Sequence, residues 1–286
     1  MIAIENDYLK LVVNPLGAEW HSIILKNENR ECLWQGLSDF WPRRAPLLFP
    51  TVGELNDNAF RWNGKSYSLK RHGFIRFEKF ELIHQSANEL EWEVCATAET
   101  LKVFPFHFSF RVLYTLLDNE IKTRILIFNP DSQSMFYSVG AHPAFLLPGG
   151  MNNYFLEFER EEKTKRLFVR EGLISDERHD FEPVLRKLPL DTTLFDSDAL
   201  VFRNLNSRSI TIKRNNDRPV VKMVWDEIFS HFGIWSAKNC LHFVCLEPWA
   251  GLADHHGFSG DFTQKEGIRS LGAGCDDKFV FSCFFY

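Results

Sequence analysis

Three short segments of this chain each set one titratable side chain among apolar or backbone-restricting neighbours. They read Arg71-His72-Gly73-Phe74, Gly140-Ala141-His142-Pro143-Ala144-Phe145 and Cys245-Leu246-Glu247-Pro248-Trp249. These residue types suit general acid and base work. A carboxylate takes up a proton and a protonated imidazole gives one up, and both are correctly charged near neutral pH when their surroundings push the pKa values apart. Glu247 supplies the carboxylate, and His142 and His72 the imidazoles.

Each residue also has a plainer reading. A lone histidine in a strand-rich chain is more often a hydrogen-bonded structural group than a catalyst. Glu247 reads equally well as a strand-end carboxylate exposed to solvent, because Pro248 follows it and stops ladder pairing. His142 precedes Pro143, which restricts the backbone before it to extended conformations. That suits a buried turn residue, and it also suits an acid that must point one way. His72, between Arg71 and Gly73, fits the lining of a loop.

Metal and nucleophile signatures are thin. Six cysteines (Cys32, Cys95, Cys240, Cys245, Cys275 and Cys283) show no CxxC spacing, which argues against a zinc site and against a compact disulfide framework. They read as reduced and mostly packed. In Asp254-His255-His256, adjacent histidines on a strand would point opposite ways and chelate poorly, so the segment reads as a surface loop. Phe106-His107-Phe108 lacks the further His and Glu of a metal-binding barrel, and no Gly-x-Ser-x-Gly or phosphate-cradling glycine loop is present.

The elements that must position these groups are strands. Leu90, Trp92 and Val94 alternate with Glu91 and Glu93; Ile121, Thr123, Ile125 and Ile127 alternate with Lys122, Arg124 and Leu126; Tyr154, Leu156 and Phe158 repeat the pattern. Turn clusters separate such runs, among them Asn14-Pro15-Leu16-Gly17, Asn63-Gly64-Lys65, Leu117-Asp118-Asn119, Asn129-Pro130-Asp131 and Pro148-Gly149-Gly150. The 28 phenylalanines favour wide pleated surfaces over helices. The expectation is an all-β chain, a large antiparallel β-sandwich with few and short helices. The charged stretch from Arg160 to Arg166 reads as a solvated strand end or loop. No linker, low-complexity tract or internal repeat marks a boundary, so residues 1–286 read as a single domain with function in loops or on a concave sheet face.

A net charge of -5 leaves no basic stripe for a phosphate backbone, so no nucleic acid is expected as a partner. No membrane contact is expected either, and the start of the chain shows no positive region followed by an apolar stretch. Cytoplasmic localisation follows as the default. Monomer and homodimer both stay open.

A His-Gly-Phe, then a His-Pro after a small-residue strand, then a Glu closing an apolar strand: in this order the chain resembles the aldose 1-epimerase (galactose mutarotase) family, and within it the branch of LacX-type proteins. Similar strings run along most of the chain, through Gly17-Ala18-Glu19, Leu33-Trp34-Gln35-Gly36, Pro46-Leu47-Leu48-Phe49-Pro50, Phe104-Pro105-Phe106, Asn129 and Lys265-Glu266-Gly267-Ile268. The resemblance implies the mutarotase-type supersandwich with its site on a concave face. It implies a mutarotase that needs no metal or organic cofactor and acts on a small-molecule sugar. On that basis His142 corresponds to the catalytic acid, Glu247 to the base, and His72 to a second active-site imidazole. A substrate-binding aspartate falls on Asp198, with Asp196 as the fallback. Trp249, with Trp34, Trp225 and Trp235, is a candidate platform for a sugar face.

One stretch departs from the pattern. Where the epimerases usually carry a Gly-Arg and a second arginine that reach the sugar, this chain reads Val52-Gly53-Glu54-Leu55-Asn56-Asp57-Asn58. Glu54 and Asn58 remain able to bond hydroxyls, but the preferred sugar does not transfer. The loss admits a carbohydrate-binding or sugar-sensing module on the same scaffold. It also admits a sugar-phosphate mutarotase, for which Arg43, Arg44, Arg71 and Arg76 are available. Glycoside hydrolysis fits less well, since it needs two carboxylates and only Glu247 stands out.

Overall fold

The computed structural model describes residues 1–163, 166–175 and 185–286. Its strands follow the period-two pattern. In the hairpin Ser109–Leu117 and Glu120–Phe128, the side chains of Phe110, Val112, Tyr114, Leu116, Ile121, Thr123, Ile125 and Ile127 are buried, and the alternate positions face outward. The turn between the two strands carries Asp118 with φ 52°, and in the Asn63-Gly64 turn both residues lie in the left-handed region. That is the geometry a tight hairpin demands. Among the described residues the one α-helix spans four, Thr100–Val103, and no helix is long and apolar enough to cross a membrane.

Two large antiparallel sheets carry the fold. One has nine strands, in the order Leu185–Pro189, Tyr154–Glu162, Ser209–Arg214, Pro219–Trp225, Asp276–Phe285, Glu120–Phe128, Ser109–Leu117, Glu89–Cys95 and Glu81–Gln85. The other has eight. It runs Leu173–Ser175, Arg166–Arg170, Leu200–Arg203, His231–Trp235, Phe243–Ala250, Val139–Ala141 and Leu47–Leu48, and Ala144–Leu146 pairs with Phe243–Ala250 as well. The stretch from Arg160 to Arg166 thus spans the end of one strand and the start of another; Thr164 and Lys165 lie outside the described residues.

The core lies between these sheets, where aromatic rings from both meet. Trp225 packs on Phe232 with centroids 4.3 Å apart, Phe158 on Phe202 at 6.1 Å and Phe145 on Phe285 at 6.2 Å. A four-stranded sheet from the N-terminal residues joins the same core through Trp20, which lies 5.9 Å from Tyr114, while the Tyr114 hydroxyl donates to the Ala18 carbonyl at 2.7 Å.

Phe243–Ala250 is the strand on which the site depends, and all eight of its residues are buried. Its even positions Val244, Leu246 and Ala250 face the main core. The odd positions face the other way: Phe243 and Cys245 join one small apolar cluster, Trp249 joins another, and Glu247 falls between them. Glu247 is therefore not a strand-end group, because the strand continues past Pro248 to Ala250. The neighbouring chain explains why the proline is tolerated. It breaks between Val139–Ala141 and Ala144–Leu146, where the Leu246 N–H reaches the Pro143 carbonyl at 3.2 Å. Pro248, two residues on and turned to the same side, has no N–H to leave unpaired at the gap.

Phe49 anchors the loops to this core. Its fully buried ring touches Phe74, Phe104, Phe108, Phe110 and Tyr137 with centroids 5.0 to 6.3 Å away, and its carbonyl accepts from Phe74 and Ile75 N–H. Phe49→Ala is expected to lower stability by about 3–5 kcal/mol, the cost of emptying a large core site. Denaturant unfolding monitored by tryptophan fluorescence measures that loss.

Candidate active site

A cavity of about 520 Å³ opens on the outer face of the eight-stranded sheet, and Glu247, His142, His72, Arg71, Asp198 and Trp249 all line it. These residues come from four separate stretches of chain. Asn58 does not join them. It is exposed in the turn before the hairpin Ala59–Trp62 and Lys65–Ser68, where its carbonyl accepts from Leu69 N–H at 2.8 Å. Its φ of 52° belongs to that turn, and Asn58 is not among the residues that line the cavity, contrary to the expectation that it meets the substrate. Glu54 turns instead to Arg71, 3.9 Å away.

Glu247 and His142 meet at the bottom of the cavity, with His142 Nε2 3.2 Å from Glu247 Oε2. The carboxylate is 1% exposed, and both of its oxygens are buried without a hydrogen-bond partner. Trp41 stacks on the His142 ring at 4.7 Å, and Trp235 and His72 meet it edge-on at 5.6 and 5.7 Å. Trp34, away from the cavity, holds Trp41 by donating its Nε1–H to the Trp41 carbonyl at 2.8 Å. Trp225 belongs to the main core and takes no part. Trp249 lies flat on the sheet because its strand neighbours are glycines: a Cβ on Gly140 or Gly233 would come within 2.7 Å of the indole.

Burial shapes the protonation of this pair. It pushes the Glu247 carboxyl well above its ordinary value, with Asp198 adding to the rise and Arg71 opposing it. Burial also brings His142 down to about 3, with the positive charges of Arg71 and Arg76 acting the same way. Both groups therefore favour their neutral forms.

His72 is fixed differently. Its Nδ1 accepts from Gly53 N–H at 3.0 Å, and the His72 backbone N–H donates to the Gly53 carbonyl at 2.9 Å. An Nδ1 that accepts leaves the proton of the neutral ring on Nε2, so the free side of His72 is a donor. Burial, then Arg71 and His142, hold its pKa well below the ordinary value and keep that tautomer. The backbone is unusual here, since His72 has φ 65° and Gly73 φ 67°. Gly73 admits no substitute, because a Cβ would lie 2.2 Å from the Phe49 carbonyl oxygen.

Gly53 is held in turn by the segment that reads as a surface loop in the sequence. Asp254 is 4% exposed, not superficial: it pairs with Lys265 at 2.9 Å and accepts from Asn56 N–H at 3.0 Å. Its own N–H donates to the Glu54 carbonyl at 2.9 Å. His255 meets Glu266 at 2.6 Å, and His256 is exposed.

At the mouth, Arg71 Nη2 stands 3.5 Å from Asp198 Oδ2. Asp198 has φ 120°, a region that side-chain-bearing residues rarely occupy, so its position is imposed by the fold. Asp196 lines the same rim, more exposed. Trp41 and Lys238 line the cavity although no sequence signal singles them out. Both sit in loops without periodicity. His142, Cys245 and Glu247 also offer three donor atoms within 4.8 Å of one another, as a metal would require. Burial pushes the Cys245 thiol well above its ordinary value, which opposes the thiolate such a site needs.

The chain belongs to the aldose 1-epimerase family, whose model matches residues 1–268. The chromosomal and plasmid LacX proteins of Lactococcus lactis are each 34% identical to it over 265 residues, 88% of either chain. Among solved structures, a galactose mutarotase related enzyme from Lactobacillus acidophilus superposes with a TM-score of 0.92 at 28% identity, covering 100% of this chain and 97% of its own. A galactose mutarotase-like protein from Lactobacillus casei gives 0.90 at 29% identity, with 100% of both chains covered.

The buried carboxyl has a consequence for stability. A group whose folded pKa lies above its unfolded value stabilises fully below the unfolded value, and that contribution is lost as pH rises through the folded one. For Glu247 the decline starts near 4.5. Glu247→Gln removes it, so the variant is expected to melt at a higher temperature than the parent, by a margin wider at about pH 8 than at about pH 5. Calorimetry at the two pH values checks the sign.

Proposed function

We propose that this protein is a mutarotase that interconverts the α and β anomers of a free aldose, with Glu247 as base and His142 as acid. The observation that carries this is the 3.2 Å approach of His142 Nε2 to a carboxylate whose oxygens are both buried and unpartnered at the bottom of an open cavity. In this reading the pair shares one proton, and moving it from Glu247 to His142 gives the reactive form. Glu247 then takes the proton of the anomeric hydroxyl as the bond from C1 to the ring oxygen breaks, and His142 protonates that oxygen. The open chain carries an aldehyde at C1. Rotation about the C1–C2 bond presents its other face, and the same two groups reverse the step with no net change in protons.

His72 Nε2–H is oriented to donate to a sugar oxygen, Arg71 and Asp198 bind hydroxyls at the mouth, and Trp249 and Trp41 give the ring flat apolar surfaces. The residues 1–286 act as one domain in this reading, with support from a buried core shared by the N-terminal sheet and both large sheets. Six unpaired cysteines accord with a cytoplasmic setting.

Polarimetry of freshly dissolved α-glucose and α-galactose tests the proposal. The protein is expected to speed the approach to equilibrium, and Glu247→Gln and His142→Ala each to slow catalysis by about 10²–10⁴-fold. Tight sugar binding without acceleration would make it a binding module instead. The pH profile adds a separate check: kcat/KM should hold through neutral pH and fall on the alkaline side, where the pair loses its shared proton. A fall near 4.5, the ordinary carboxyl value, would contradict the assignment.

A further inference from the structure

The outer face of the nine-stranded sheet, turned away from the cavity, carries charge in an ordered pattern. Strand register sets three rows across Glu89–Cys95, Ser109–Leu117 and Glu120–Phe128: Glu91, Leu113 and Arg124; Glu89, Thr115 and Lys122; Glu93, Arg111 and Leu126. The first two rows run acid, neutral, base. The third extends to Glu81 on the acidic flank and to Lys278 on the basic one. Arg111, on the central strand, is held by Glu93 at 2.7 Å, whereas no ion pair joins Glu91, Lys122, Arg124 or Lys278 to another described residue. Apolar side chains reach the surface among these charges: Leu113 is half-buried, Leu117 is 45% exposed and Phe128 38%.

Such a face complements itself. A two-fold axis laid along Ser109–Leu117, in the plane of contact, keeps every row in register and exchanges its two flanks. Glu91 then faces the partner's Arg124, Glu89 the partner's Lys122 and Glu81 the partner's Lys278, each twice. Leu113 and Leu117 meet their own copies on the axis, and so does Arg111, with Glu93 neutralising each. The partner's Phe128 faces Cys95, over a hollow of about 550 Å³ that both residues line. The twist of the sheet permits this match. A twisted sheet is a saddle, and rotation about its own central strand returns a saddle of the same hand, so the two faces run parallel. Five strands about 4.8 Å apart, the longest about 30 Å, give a footprint of roughly 700 Å² a side, within the span of about 600–1,000 Å² per partner that specific interfaces bury.

We propose that this face pairs two copies of the chain into a homodimer about Ser109–Leu117. The cavity of each copy opens on the other large sheet and stays free, so pairing and catalysis are separable. The opposed charges set the register of the pair and the apolar positions on and beside the axis supply the buried area.

Sedimentation equilibrium of the wild type, Glu91→Arg, Arg124→Glu and an equal mixture of the two variants tests the pairing. The wild type is expected at twice the 33.4 kDa chain mass when studied at about 100 μM, where a Kd in the micromolar range pairs most chains. Each variant alone sets like charges opposite one another twice, and its association is expected to weaken by about tenfold or more. Mixing restores it, because every contact between Glu91→Arg and Arg124→Glu chains joins opposite charges. A monomeric wild type, single variants that pair like the wild type, or a mixture that does not recover would overturn the proposal. Far-UV circular dichroism checks that both variants fold. Should one fail, Leu113→Arg takes its place by setting two cations on the axis: a monomer supports the pairing, and a persisting dimer overturns it.

Discussion

The burial of one carboxyl, that of Glu247, is the constraint around which the site is organised. A strand covered on both faces normally carries apolar side chains throughout, and Phe243–Ala250 does so at every position except this one. An isolated buried carboxylate is expensive, so the group keeps its proton or shares it. His142 Nε2 stands 3.2 Å from Glu247 Oε2. The same lack of water that raises Glu247 lowers His142, so both groups favour their neutral forms.

Everything near this pair keeps it in place without neutralising it. The break between Val139–Ala141 and Ala144–Leu146 brings His142 over the strand, and Pro248 removes the N–H that the break would orphan. Glycines on either side let the Trp249 indole lie flat next to the carboxyl. On the opposite wall, the buried pair of Asp254 and Lys265 holds the chain that includes Gly53, and Gly53 selects the tautomer of His72. Stability is spent here on orientation, as is usual where reactive groups are buried.

The chain belongs to the aldose 1-epimerase family, and its rim departs from the arginine pattern that the resemblance implies. The segment from Val52 to Asn58 carries no arginine, and the cations that line the cavity, Arg71, Arg76 and Lys238, come from other segments. The positive charge at the mouth comes from segments other than the one after Val52.

By itself the sequence determined the strand periodicity, the turns, the all-β class and the three segments bearing His72, His142 and Glu247, because each is local: a period of two, a residue preceding proline, a glycine following a histidine. It also carried the family resemblance, through strings in a fixed order. Only the tertiary structure decided which groups meet. It buried Glu247 in mid-strand instead of exposing it at an end, because the proline faces a gap in the neighbouring chain. It took Asp254 inside by pairing it with Lys265, left Asn58 in a turn, and brought Trp41 onto His142 from a loop with no pattern. Those outcomes depend on contacts between residues up to two hundred positions apart, as in the Asn56 to Asp254 bond, and no local pattern encodes such a distance.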